Sequence, residues 1–223
     1  TFEPGSIGKV FTMSGMIQLG LHQASDKFTV PDHITTNGQT YSDATTHGDE
    51  HWTLAGILEH WSNVGMIIAA EKMSNEQRYE FISKFGIGQD NGLGLPGEAD
   101  GLLYSADQWD LRTQNTVLFG QAYTTNALQL TNAVAVIANK GVKKPQRIIK
   151  AISDAEGHSE EQKPEGEATR VIDEQVASQV MNAMESVSDH YSQFVNVDGY
   201  RVAAKSGTAE VAGADGRLSS IIS

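Results

Sequence analysis

The sequence has no cysteine among its 223 residues. That excludes disulfides, thiol nucleophiles and thiolate metal sites together. No apolar run is long enough to cross a bilayer, and no stretch has the layout of a signal peptide. Positive charge is in short supply: 16 Lys and Arg stand against 28 Asp and Glu, for a net charge of −12. This balance argues against nucleic acid or an anionic lipid surface as the main partner. No internal repeat is visible. The closest pair of histidines, His47 and His51, falls in a Gly- and Asp-containing loop and reads as solvated surface. No metal or other cofactor is therefore expected. What remains is an ordinary globular composition, 39% hydrophobic and 20% charged, with chain enough for one sizeable core.

The most informative stretch is Glu3-Pro4-Gly5-Ser6-Ile7-Gly8-Lys9. Pro4-Gly5 is a turn signal, and the apolar pattern that follows (Val10, Phe11, Met13, Ile17, Leu21) has helical spacing. A helix beginning at or just before Ser6 puts Ser6 and Lys9 on neighbouring points of one face. A serine hydroxyl is a poor nucleophile until a base takes its proton, and a lysine whose pKa is lowered towards neutrality can be that base. The helix N-terminus adds free N–H groups and a positive field for an oxyanion. Taken alone, the same spacing also describes a helix-capping serine followed by a solvated lysine.

Further along, residues 22–52 read as loop and short strand. Thr53 reads as the N-cap of an apolar helix that breaks at Trp61-Ser62-Asn63 and resumes from Val64 to Ala70. Ser74 caps a helix carrying Tyr79, Phe81, Ile82 and Phe85, and a glycine-punctuated loop follows from Gly86 to Gly97. Leu128 to Ala138 predicts a nearly all-apolar helix stopped at Asn139-Lys140-Gly141, and Asp173 to Val187 an amphipathic one. Strands are expected at Ile148–Ile152 and Tyr200–Ala204, with residues 153–168 an exposed loop. The second strand runs into Lys205-Ser206-Gly207-Thr208. A Gly- and Asp-rich turn over Val211–Arg217 and a strand from Leu218 to Ile222 complete an antiparallel hairpin. The class is α+β, a helical cluster beside an antiparallel sheet, and the abrupt ends lead us to expect a domain incomplete at both.

Two more clusters carry possible chemistry. A lysine and two hydroxyls around Gly207 suit a carboxylate, and a glycine there admits a substrate backbone along a strand edge. An ordinary polar turn would also read this way. Trp61-Ser62-Asn63 is a polar break between apolar helices. Such a break is costly if buried and unpaired, and an interhelical turn is its plainer reading.

Taken together and in this order, Ser6-Ile7-Gly8-Lys9, Ser62-Asn63 and Lys205-Ser206-Gly207-Thr208 resemble the Ser-x-x-Lys, Ser-Asp-Asn and Lys-Thr-Gly motifs of penicillin-binding proteins and serine β-lactamases. Phe85-Gly86-Ile87-Gly88, Gly94-Leu95-Pro96-Gly97-Glu98, Gly120-Gln121-Ala122-Tyr123, Leu128-Gln129-Leu130 and Ala138-Asn139-Lys140-Gly141 are similar to linking segments of the class B penicillin-binding proteins. The resemblance covers most of the chain and implies one transpeptidase domain over residues 1–223, of the division or elongation type.

The resemblance further implies that Ser6 attacks the carbonyl between the last two D-alanines of a peptidoglycan stem peptide while Lys9 accepts its proton. The N–H groups of Ser6 and Thr208 would form the oxyanion hole. Asn63 would hold substrate and Lys9; Lys205, Ser206 and Thr208 would bind the terminal carboxylate, and Gly207 would let the substrate backbone come close. A neighbouring stem amine would release the acyl-enzyme, and β-lactams would acylate Ser6. Implied partners are the stem peptide, β-lactams, a membrane glycosyltransferase and division or elongation proteins. The implied location is the extracytoplasmic side of a bacterial cell membrane. The family's second motif places a serine, thought to relay a proton, two residues before the asparagine. That position is Trp61, and an indole N–H only donates. Either Ser62 turns to serve as the relay, or Lys9 and Lys205 act without one, or the protein is a scaffold that binds stem peptides without acyl transfer. A β-lactamase or D,D-carboxypeptidase is the other reading.

Overall fold

Helix α1 (Gly8–Gln18) runs through the middle of the molecule, and every residue from Gly8 to Ile17 is buried. A helix covered on all sides needs neighbours on all sides. The computed structural model describes residues 1–195, 197–210 and 217–222. In it a 3₁₀ turn, Gly5–Ile7, leads into α1. Two hairpin-like pairs follow, made from β1 (Lys27–Val30), β2 (His33–Thr36), β3 (Gln39–Ser42) and β4 (Glu50–Thr53). β1 pairs with β4 and β2 with β3, both antiparallel.

The helical cluster comes next: α2 (Leu54–Glu59), α3 (Asn63–Ala69) and α4 (Asn75–Lys84). The side chains of Thr53, Ser62 and Ser74 cap α2, α3 and α4. Each accepts from a backbone N–H that the first turn would otherwise leave unpaired. After the glycine-rich loop come α5 (Thr113–Thr116) and α6 (Ala127–Ala138), the latter opened by a full capping box between Asn126 and Gln129. Short strands β5 (Val142–Lys143), β6 (Ala151–Ser153), β7 (Ser159–Glu161) and β8 (Thr169–Arg170) precede α7 (Glu174–His190). The buried residues of α7, Val176, Ala177, Val180, Ala183, Met184 and Val187, keep helical spacing and face α1, α2 and α6. A short helix α8 (Ser192–Val195) and the hairpin of β9 (Lys205–Glu210) with β10 (Arg217–Ile222) close the described chain.

The α+β expectation holds, and three local expectations shift. Tyr200–Ala204 is not a strand. Its tail is tied to the end of α7 by the Ala204 N–H donating to the Met184 carbonyl, and strand pairing begins only at Lys205, opposite Ile222. Lys205-Ser206-Gly207-Thr208 therefore opens the edge strand instead of ending one. Ile148–Ile152 keeps strand structure only from Ala151, and the polar stretch beyond it supplies β7 as its partner. Ile148, Ile149 and Ile152 are all more than half exposed, so no core enforces a longer strand. The expected turn over Val211–Arg217 lies outside the described residues up to Arg217, which opens β10.

The turn that carries Ser6 is held from behind. Phe2 and Thr125 exchange two backbone hydrogen bonds, and the Gly5 N–H donates to the Gly120 carbonyl at 3.0 Å. Gly5 and Gly120 both have positive φ, at 57° and 85°. A Cβ on Gly120 would lie 1.8 Å from the Gly5 carbonyl oxygen, and one on Gly5 would lie 2.5 Å from the Thr208 carbonyl oxygen. Backbone thus meets backbone on both sides of the turn, which only glycine permits. Gly120→Ala is expected to lower the unfolding free energy by about 3 kcal/mol, from overpacking plus a left-handed alanine. Urea denaturation checks this, and a loss below about 1 kcal/mol would mean that the seam gives way easily.

Candidate active site

Three elements bring the predicted residues into one cleft. The 3₁₀ turn supplies Ser6, the first turn of α1 supplies Lys9, and the N-terminus of α3 supplies Asn63. Lys9 Nζ lies 2.7 Å from Ser6 Oγ and 2.7 Å from Asn63 Oδ1. Ser6 and Asn63 are half-buried, whereas Lys9 is fully buried. Burial penalises the ammonium and brings Lys9 down to about 7, against a smaller upward pull from Asp43. An amine poised there can take a proton from Ser6 at neutral pH.

Strand β9 forms the opposite wall. Its first residue, Lys205, is fully buried, with Nζ donating to the Ser206 carbonyl at 2.9 Å. Burial first, and then the like charge of Lys9, hold Lys205 well below the ordinary lysine value. Ser206 is half-buried and Thr208 exposed, so their hydroxyl-bearing side chains remain open to a ligand. The backbone of Thr208 lies against Gly5, next to Ser6. Expected residues Ser6, Lys9, Asn63, Lys205, Ser206, Gly207 and Thr208 thus line one cleft. Beside Asn63 it widens into a polar pocket of ≈ 330 Å³, lined in part by Thr40, Ser42, Arg112 and Gln121.

Ser62 is the exception. Its hydroxyl is fully buried, donates to Asp43 Oδ2 at 2.5 Å and accepts from the Gly65 N–H at 2.7 Å. It is the N-cap of α3, and its partners are Asp43 and Gly65, not Ser6 or Lys9. The expectation that Ser62 turns to serve as a relay is therefore not met: its one O–H is already donated to Asp43.

Two residues escaped the sequence reading. The Asp43 side chain is 6% exposed and accepts four hydrogen bonds: from the N–H groups of Asn63 and Val64, from Ser62 Oγ, and from His47 Nε2 at 3.2 Å. A carboxylate at these unpaired N–H groups anchors the start of α3, and with it Asn63. His47 is accordingly no solvated surface residue. Burial pulls its imidazole down, but bonds to the Gly48 carbonyl and Asp43 outweigh this and leave it above the ordinary histidine value. The only available hint was Asp43 standing in a polar loop 20 residues before the motif, a separation that no spacing rule connects.

Trp61 occupies the position after the end of α2, at φ 56°. Its N–H donates to the Leu58 carbonyl and the Ser62 N–H to the Ile57 carbonyl, at 3.4 and 3.1 Å. This is the Schellman pattern, in which glycine is the favoured residue. A tryptophan there costs about 1 kcal/mol of backbone strain.

Fold and cleft are those of active-serine proteins in which a lysine stands where a base is needed. The chain belongs to the family described as the penicillin binding protein transpeptidase domain, which matches residues 1–221. It is 36% identical over 217 residues to penicillin-binding protein PbpB of Mycobacterium tuberculosis, covering 94% of this chain and 32% of that one. It is 32% identical to the peptidoglycan D,D-transpeptidase FtsI of Escherichia coli, covering 97% and 35%. Among solved structures it superposes on a peptidoglycan synthetase from Bifidobacterium adolescentis at TM-score 0.92 and 72% identity, over 99% of this chain and 40% of that one. It also superposes on M. tuberculosis penicillin-binding protein 3 complexed with aztreonam at TM-score 0.87 and 35% identity, over 94% and 48%. The chain spans about a third of the length of the curated relatives it matches.

Asp43→Asn removes the charge that raises Lys9 while keeping the shape. Serine acylation by a penicillin is expected to slow by about tenfold as Asn63 loosens. The acidic limb of its pH profile is expected to move below about 7. Stopped-flow acylation across pH 5 to 9 measures both, and an unmoved limb would show that Asp43 does not act on Lys9.

Proposed function

We propose that this chain is the catalytic domain of a peptidoglycan D,D-transpeptidase. The observation that carries the reading is Lys9, desolvated and bonded at once to Ser6 and Asn63. The kinship with FtsI, a named D,D-transpeptidase, and with a protein crystallised with aztreonam supports the choice of substrate and inhibitor.

In the proposed reaction Ser6 is the nucleophile and Lys9 its base. The neutral Lys9 amine takes the Ser6 proton as Oγ attacks the carbonyl carbon of the penultimate D-alanine. Negative charge develops on the carbonyl oxygen, beside the backbone N–H groups of Ser6 and Thr208. Lys205, Ser206 and Thr208 receive the terminal carboxylate, with Gly207 leaving room for the substrate backbone. The C–N bond breaks, and Lys9 returns its proton to the departing D-alanine amine. This transfer is direct, because Trp61 accepts no proton and the Ser62 hydroxyl is committed to Asp43. An amine from a second stem peptide then attacks the acyl carbon and loses a proton to Lys9. A new amide forms, the acyl C–O bond to Ser6 breaks, and Lys9 returns the proton to Ser6 Oγ. A β-lactam presents a strained amide and a carboxylate to the same groups, and stops at the acyl-serine.

Because the substrate is cell-wall peptide, we place the site on the extracytoplasmic side of the bacterial cell membrane. No described helix is long and apolar enough to cross a membrane. A membrane glycosyltransferase that makes the glycan strands, together with division or elongation proteins, is the proposed set of partners.

Incubation with a fluorescent penicillin, followed by intact mass, tests the reading. One adduct is expected on the unsubstituted protein and none on Ser6→Ala. Absence of an adduct on a protein with a cooperative thermal melt would leave a stem-peptide-binding scaffold as the better description. Rapid turnover of a chromogenic cephalosporin would instead indicate a β-lactamase.

A further inference from the structure

Lys205 is a buried amine with little to hold it. Among the described residues no carboxylate lies within ion-pairing distance, and its one hydrogen bond goes to the neighbouring Ser206 carbonyl. The charge that bears on it is Lys9, from α1, and that contact is repulsive. Asp43 is engaged with the start of α3. What Lys205 does meet is an aromatic face: its Nζ lies over the Trp61 ring, 5.1 Å from the centroid. Such a contact favours an ammonium group, and it gains strength where water is excluded.

The ring is itself fixed. Trp61 stacks on Tyr191, with centroids 4.4 Å apart and 19° between the planes. His190, beside Tyr191, bonds Glu59 on α2 at 3.2 Å, which ties the end of α7 to the helix that Trp61 terminates. An apolar pocket of ≈ 200 Å³ opens between Trp61, Tyr191, Ala204 and Ser206, so the aromatic pair also walls the approach to β9. A left-handed backbone position favours glycine, yet a tryptophan holds it. Strain of this kind persists where a side chain has a task.

We propose that Trp61 is a positioning residue for carboxylate recognition: its ring face holds the Lys205 Nζ in place at the wall of the cleft, so that a substrate ending in a carboxylate is preferred over one that does not. The residue that cannot relay a proton thus serves the other end of the substrate. This inference rests on the acyl-transfer reading of the cleft.

The test compares benzylpenicillin with its methyl ester, as the ratio of second-order acylation rates at Ser6. Trp61→Gly suits the backbone and removes the ring, Trp61→Leu keeps apolar bulk without a ring face, and Trp61→Phe restores a ring. The acid-to-ester ratio is expected to fall about tenfold in the Gly and Leu variants and to stay within about threefold of the unsubstituted protein in Phe. A cooperative thermal melt establishes that each variant folds before its ratio is read. An unchanged ratio in Trp61→Leu, or a Phe variant as impaired as Leu, overturns the role of the ring. A protein that acylates readily but does not distinguish acid from ester overturns it as well. Failure of the unsubstituted protein to acylate with either ligand overturns the acyl-transfer reading beneath it.

Discussion

Desolvation of Lys9 is the constraint on which the site depends. A lysine in water stays charged at neutral pH and cannot take a proton from serine. Here the amine sits inside a helix that is buried on every side, which brings it down to about 7. The sign of the linkage is adverse to stability. The unfolded chain holds the Lys9 proton up to about 10.5 and the folded chain only to about 7, so between these values the unfolded state binds more protons. Stability therefore rises with pH across that window. Below it the fold carries a penalty on the order of 5 kcal/mol, from 1.36 kcal/mol per pKa unit. The surrounding apolar core, from Ile7 and Phe11 to Val136 and Met184, must outweigh that cost.

The other parts of the cleft relate to this one. Gly5 and Gly120 bring backbone against backbone, so that Ser6 projects towards Lys9 without slack. Asp43 gathers the first N–H groups of α3 and sets Asn63 at the far side of the amine, while its charge stops Lys9 from falling further. Lys205 across the cleft is a second buried lysine, and each disfavours a proton on the other because their charges would repel. A site built this way favours an anionic ligand by its own electrostatics, although the chain as a whole is acidic.

Much of this was legible in the sequence because it is local. Ser6 and Lys9 are one helical turn apart, Thr53 and Ser74 announce helix starts, and the α6 and α7 patterns have helical spacing. What escaped depended on distant partners or on tertiary override. Asp43 reaches Asn63 across 20 residues of hairpin and helix, and His47 follows Asp43 out of the solvent. The strand expected over Tyr200–Ala204 fails because its apolar residues pack near α7, and the polar Lys205-Ser206-Gly207-Thr208 pairs with β10 through backbone bonds that are blind to side-chain polarity. The role of Ser62 stayed open because a capping hydroxyl and a catalytic one look alike in sequence. Only its two bonds, to Asp43 and Gly65, separate them.

The most direct measurement is the titration of Lys9 itself. Lysine labelled with ¹³C at Cε reports its own ionisation by NMR, and Lys9→Arg identifies the resonance. A signal titrating at about 7 in the ligand-free protein, and lost in that variant, is the expected result. A Lys9 signal that stays charged to the ordinary lysine value of 10.5 would contradict the claim that burial makes this lysine the base.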